Sequence, residues 1–401
     1  MGPAAEFASP RAGQAARRPF GAPGSSMNRR AFLQLASSVP AAFGSEQESQ
    51  PRYRVASRYA PAAKPGMPGP YPGRVISVHA RQSIDEQSEA IDAAKVREMI
   101  DAGMKSLTGE ARPVDAWRRL FSPEDVVGIK VNCSGVPGLV STPEVVGEIT
   151  RNLTEAGVKA QNICVYERFM VQLRRVPYAK FLPAGAQILA FEEGRGGILK
   201  YDPFTYVEVN FFGEEDSRSN LGRIIAERFT KIINVPNMKD HGASGVTGCL
   251  KNIAYGSFSN VARSHHEVRT HTLSFIGTLA MVEPLRSRTV LQIMDGLKGV
   301  WHAGPFSVNR RFRYYLKQIL FGTDPVAMDR LLLDEIEDKR KAEGAISVWN
   351  RSMEYVKPGR GFYKDPNINN FIREPGHVEY ASRLGLGVYD KSKIRVEQIE
   401  L

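Results

Sequence analysis

Short runs of alternating or continuous apolar residues recur along the chain. Arg74–Ala80 (RVISVHA), Val126–Asn132 (VVGIKVN), Ile163–Tyr166, Gln187–Phe191, Tyr206–Phe211, Lys231–Val235 and Thr289–Met294 are rich in β-branched and aromatic residues. Each is predicted to be a strand. Between them the apolar spacing lengthens to a helical period over Ile84–Leu107, Pro143–Ala156, His271–Val282 and Val326–Glu337. In Pro143–Ala156, Val145, Val146, Ile149 and Leu153 fall near one face, and Gly157 ends the run. Strands alternating with helices predict an α/β fold: a largely parallel or mixed sheet flanked by helices, with room in 401 residues for two subdomains. No internal repeat is evident.

The pattern breaks down before Arg74. Residues 1–26 are rich in Ala, Gly, Pro and Arg and read as a lead segment, or as a start placed ahead of Met27. From Met27 the order is MNRRAFLQ: the pair Arg29-Arg30, then a weakly apolar stretch from Ala31 towards Gly44. Ala42-Phe43-Gly44 offers small residues where a signal peptidase reads. A charged start, an apolar middle and a small-residue exit are the layout of a secretory signal. The paired arginines resemble its twin-arginine variant. The expectation is carriage by the twin-arginine translocase, cleavage near Gly44 and a periplasmic protein. A chance Arg-Arg is the plainer alternative. Residues 45–73, rich in Pro, Ala, Gly and Ser, are expected to be a linker, leaving 74–401 as the folded domain. No apolar run approaches the ~18 residues of a spanning helix, so no membrane span is expected after cleavage.

Charge narrows the partners. The net charge is +11, but +6 of it lies in residues 1–64. The rest is mildly basic, with no Lys/Arg stripe of the kind that binds nucleic acid. Three cysteines, Cys133, Cys164 and Cys249, cannot form an intrinsic four-cysteine iron–sulfur cluster. Buried structural thiols are the expectation.

Candidate chemistry gathers after two predicted strands. Lys130 and Asn132 are two apart and share a pleat face, so both can reach one pocket; a snorkelling edge lysine is the plainer reading. After Val235 a Pro- and Gly-containing stretch carries Lys239, Asp240 and His241, then Gly245, Thr247, Gly248, Lys251 and Asn252 entering a short helix. Ligands of open α/β sheets bind beyond the C-terminal ends of strands, and glycine-rich helix starts accept anions. This predicts a site for a small anionic ligand, phosphate or carboxylate, against the alternative of a surface loop with solvated lysines. The stretch does not match GxxxxGK[ST], so no nucleoside triphosphate is predicted. Asp295 ends a strand before Gly296 and is a candidate base or ligand, or else a turn former. His241, His266 and Asp295 form a candidate mononuclear metal set with no dense motif behind it. His302 and Asp324 are supporting candidates, with helix capping the first explanation of Asp324. The aromatic, basic segment 344–372 is expected to be a long loop over the site or packed on the body.

Four ordered segments carry a resemblance. They are GIKVN (128–132) with Ser141-Thr142-Pro143 and Glu155-Ala156-Gly157, NVPNMKDHGASGVTGCLKNIAYG (234–256), Asp295-Gly296 with Gly304-Pro305, and GTDPVAMD (322–329), closed by Gly385-Leu386-Gly387-Val388. Together they resemble the family named domain of unknown function 362, over roughly residues 74 to 390. The resemblance implies no activity. Many members carry an added ferredoxin-like cysteine cluster, which this chain lacks. The leading expectation is an exported enzyme for a small anionic substrate, with His241, Lys251 and Asp295 as catalytic groups and Lys130, Asn132, Lys239, Thr247 and Asn252 binding it. Redox or isomerisation chemistry, with or without a metal, is its expected range. The alternatives are a non-catalytic periplasmic ligand- or metal-binding protein and an accessory protein to an exported redox partner.

Overall fold

The computed structural model describes residues 51–192, 200–266 and 268–401. The twin-arginine pair and the cleavage position near Gly44 lie outside the described residues. Eight strands lie side by side in the order β14 (Arg395–Glu400), β2 (Arg74–His79), β13 (Gln318–Gly322), β11 (Thr289–Val300), β8 (Lys231–Asn234), β3 (Val127–Lys130), β4 (Ile163–Phe169) and β5 (Gln187–Glu192). The five from β11 to β5 run parallel, and β13 is antiparallel to both of its neighbours. The α/β expectation therefore holds, with a mixed sheet. Three short strands attach to it: β9 (Asn237–His241) pairs with β11 and with β10 (Gly245–Val246), and β12 (Arg313–Tyr314) pairs with β11. A smaller sheet contains β1 (Arg54–Ala56), β6 (Tyr201–Glu208) and β7 (Arg218–Gly222).

The two-residue period of the strands divides the core. Val127, Ile129 and Val131, Ile233 and Val235, and Leu291 and Ile293 pack towards α1 (Ala93–Thr108), α2 (Pro113–Arg118) and α3 (Pro143–Glu155). Ile232 and Met294 belong to the other layer, with α6 (Gly248–Tyr255), α7 (Thr272–Ala280), α9 (Pro325–Ala342) and α10 (His377–Arg383). The short helices α4 (Met170–Leu173), α5 (Arg223–Glu227) and α8 (Leu285–Arg288) complete the set. Both layers cover one sheet, so the described residues form one compact unit rather than two subdomains.

Several boundaries differ from expectation: β11 runs to Val300 rather than Met294, so Asp295 lies within the strand, and β6 covers Tyr201–Glu208 rather than Tyr206–Phe211. α1 starts at Ala93, not Ile84, because the Asp92 carboxylate accepts the Lys95 amide at 2.9 Å as an N-cap. Residues 80–92 instead make a turn closed by an Ile84–Ile91 bridge. Residues 51–73, expected as linker, are folded onto the body: β1 pairs with β6, Met67 is fully buried, and the Gly66 amide donates to the Ser287 carbonyl at 3.1 Å. Composition signalled mobility there, but burial of Met67 and the backbone bonds around it decide the outcome. No helix among the described residues is long and apolar enough to cross a membrane.

Candidate functional site

The parallel register places Lys130 opposite Asn234 and opposite Tyr166. Because Ile129 and Val131 point to the α3 side, Lys130 and Asn132 point to the α6 side, as their spacing predicts. Lys130 is almost fully buried. Its Nζ donates to Glu167 Oε1 at 2.8 Å and lies 3.4 Å from Asn252 Oδ1. Asn132 Nδ2 donates to the same Asn252 oxygen at 2.9 Å. Asn132 Oδ1 in turn accepts from Lys239 Nζ at 2.6 Å, and Lys239 also donates to Ser134 Oγ at 2.7 Å. Asn252 Nδ2 donates to Asn234 Oδ1 at 2.7 Å, completing a buried polar chain from β8 to β9. Two ammonium groups thus share one amide network with a single carboxylate, Glu167. Burial pushes Lys239 down to about 7, with Glu167 opposing the fall and Lys130 adding to it.

Lys239 and His241 lie on a strand, not in the loop expected there. They share one face of β9, and Asp240 takes the other. His241 Nε2 lies 2.9 Å from Lys251 Nζ, and the two side chains are 4% and 6% exposed. On the far side of the ring, Nδ1 accepts the amides of Ala243 at 3.1 Å and Ser244 at 3.4 Å. Burial drives His241 well below the usual imidazole range, reinforced by Lys251. Burial drives Lys251 well below the usual lysine range, reinforced by Lys239. The Lys251 amine also sits 4.3 Å over the Tyr255 ring. The Thr247 hydroxyl is buried with no protein partner among the described residues, while its amide donates to the Lys239 carbonyl at 3.0 Å.

The expected anion cradle at the start of α6 is corrected. Gly248 adopts φ +53°, as a glycine-rich turn should. Yet the amides of Cys249 and Leu250 both donate to the carboxylate of Asp329, the latter at 2.9 Å. A side chain on this protein's own α9 fills the position a phosphate would take. Of the polar groups described above, the Thr247 hydroxyl is the one left without a protein partner among the described residues.

Asp295 does not join the cluster. It shares the parity of Leu291 and Ile293, so it faces the α3 side and accepts the Thr142 amide at 2.7 Å and the Leu297 amide at 3.2 Å. Its place is at the N-terminus of α3. His266 stacks on Phe212 with ring centres 3.9 Å apart. His241, His266 and Asp295 are therefore not a metal set, and no group of three or more His, Cys, Asp or Glu among the described residues is placed to hold a metal ion. His302 donates from Nε2 to the Phe362 carbonyl at 2.6 Å and accepts from Arg340 at 3.0 Å, a bracing role. Asp324 caps α9 through the Ala327 amide at 2.9 Å and also accepts the amides of Gly73 and Val388. All three cysteines are buried and free.

Several participants carried no signal in the sequence. Glu167 and Ser134 have no motif around them. His265, 5.4 Å from His241 ring to ring, is pushed down to about 3 by burial. Arg373, 1% exposed, faces Asp240 across 3.4 Å and has no hydrogen-bond partner among the described residues. The segment 344–372 does lie against the site: Asn369 Nδ2 donates to the Gly242 carbonyl at 2.8 Å, one residue from His241.

A Thermotoga maritima protein solved by the Northeast Structural Genomics Consortium is similar to this chain at 12% identity and a TM-score of 0.34, over 67% of this chain and 61% of its own length. No curated protein matches. The family model described as a domain of unknown function, DUF362, matches residues 127–334, from β3 through most of α9 and over every member of the lysine–asparagine–histidine cluster. The chain belongs to the DUF362 family.

Proposed function

We propose that this is an enzyme acting on a small anionic substrate held at the C-terminal ends of β3 and β8. The observation that carries this reading is the imbalance of buried charge. Lys130 and Lys239 converge through Asn132 and Asn252 around one carboxylate, Glu167. Buried cations without counter-charge are costly, and an entering carboxylate or phosphate would supply that charge. Asn132, Lys239 and Thr247 are the binding groups. His241 and Lys251, in contact with each other, are the proton-handling pair.

The test is a thermal-shift series on the purified chain with phosphate, sulfate and malonate. Stabilisation by an anion in wild type, lost in Lys239→Met, supports the reading. Equal shifts in both proteins overturn it. The family carries no assigned activity to set against it.

Export belongs to the same proposal. The Arg29-Arg30 pair before an apolar stretch supports carriage by the twin-arginine translocase to the periplasm. Fractionation of cells expressing wild type and Arg29→Lys/Arg30→Lys chains tests it. Equal periplasmic recovery of the two would remove the signal reading.

A further inference from the structure

The hydrogen bonds around His241 fix where its proton resides. Nδ1 faces two backbone N–H groups, from Ala243 and Ser244. An amide can only donate, so Nδ1 must present a lone pair. A doubly protonated ring is excluded, because it would set N–H against N–H. A neutral ring therefore carries its proton on Nε2, and that N–H points at Lys251 Nζ, 2.9 Å away. To accept it, Lys251 must also present a lone pair. An ammonium has none. The connectivity alone makes Lys251 a free-base amine.

The surroundings agree. Lys251 has no carboxylate partner among the described residues, whereas buried Lys130 has Glu167. It is buried in an interior that penalises charge. A neutral buried amine with a histidine N–H on its nitrogen is the arrangement of an amine nucleophile, not of an anion clamp.

We infer that Lys251 forms a Schiff base with a small carbonyl acid, such as a 2-oxo acid, whose carboxylate lies towards Lys239 and the Thr247 hydroxyl. This rests on the anionic-substrate reading above and names its substrate class and covalent step. The Lys251 lone pair attacks the carbonyl carbon, and the C=O π pair moves to oxygen. His241 Nε2–H protonates that oxygen and takes back the proton released from Nζ, leaving a neutral carbinolamine. The hydroxyl then leaves as water with a proton from His241, as the nitrogen lone pair closes the C=N bond. The iminium proton returns His241 to its starting state. The sum is carbonyl plus amine giving imine plus water, with no oxidant or reductant.

The test is reductive trapping of the full chain with glyoxylate and cyanoborohydride near neutral pH, read by peptide mapping. The expected result is one carboxymethyl group on Lys251, formed at least about tenfold faster than on exposed lysines such as Lys364 and Lys391. Sulfate should slow it, and Lys251→Arg should abolish it. Label confined to exposed lysines, with the Lys251 peptide unmodified, overturns the inference. If sulfate still stabilises wild type and not Lys239→Met in that case, the anion-binding reading survives and only the covalent step falls. Absence of both results would remove both.

Discussion

Lys130 and Glu167 form an ion pair 2.8 Å long whose two side chains are only 1% and 7% exposed. Glu167 Oε2 also accepts the Cys133 amide at 3.1 Å. A buried pair of this kind adds little net stability, but removing one partner strands the other. Glu167→Gln should therefore lower unfolding free energy by about 3–5 kcal/mol in urea titrations. Adding Lys130→Met to that variant should recover part of the loss. No recovery would show that Glu167 acts mainly through the Cys133 amide.

Gly256 sits against the Lys130 stem. A Cβ there would lie 1.9 Å from Lys130 Cε and 2.5 Å from the Asn252 carbonyl oxygen. Gly256→Ala should cost about 1–3 kcal/mol by overpacking. It should also weaken anion-induced thermal stabilisation, since Lys130 must shift. A double-mutant cycle with Lys130→Ala checks the contact, and a coupling near zero would contradict it.

Asp329 holds the first amides of α6, the helix that carries Lys251 and Asn252. Asp329→Ala leaves the Cys249 and Leu250 amides buried without an acceptor, at about 1–3 kcal/mol. Asp329→Asn retains one acceptor oxygen and should fall between wild type and Ala. Melting temperatures of the three proteins give the order. Equal values for Asn and Ala would mean that the charge, not the acceptor, matters.

Lys239 predicts a pH dependence. Burial lowers it from 10.5 to about 7. Between those values the unfolded chain holds the proton and the native chain does not, so this group makes stability rise with pH from about 7 to about 10.5 and adds no slope below 7. An anion binds the ammonium form. The thermal shift produced by sulfate, whose own charge is constant in this range, should therefore be larger at about pH 6 than at about pH 8. Lys239→Met should flatten the difference. A wild-type shift independent of pH would assign the anion to another cation.

Parts of this site were legible before any fold was known. Lys130 and Asn132 end an apolar strand two residues apart, and that alone puts them on one face. Lys251 and Asn252 fall on a short helix after glycines, as read. The strand Asn237–His241 was not legible, because all five of its residues are buried and its composition, NMKDH, shows no apolar alternation. Asp295 was legible in hindsight. Leu291 and Ile293 share its parity, and their assignment to the α3 layer carries Asp295 with them.

Local sequence determined the strands β2, β3, β4, β5, β8 and β11 and the helices α3, α7 and α9, the shared face of Lys130 and Asn132, and the cap at Asp324, because each depends on neighbours within one or two turns of chain. Only tertiary structure decided what those residues meet. Lys130 finds Glu167 37 residues away, Lys239 finds Asn132 107 away, and Lys130 approaches Asn252 122 away. Such pairings follow from strand order and register, which short-range periodicity does not encode. The same holds for Asp329, whose side chain reaches the start of α6 across 80 residues and occupies the anion position that the glycines alone suggested was open.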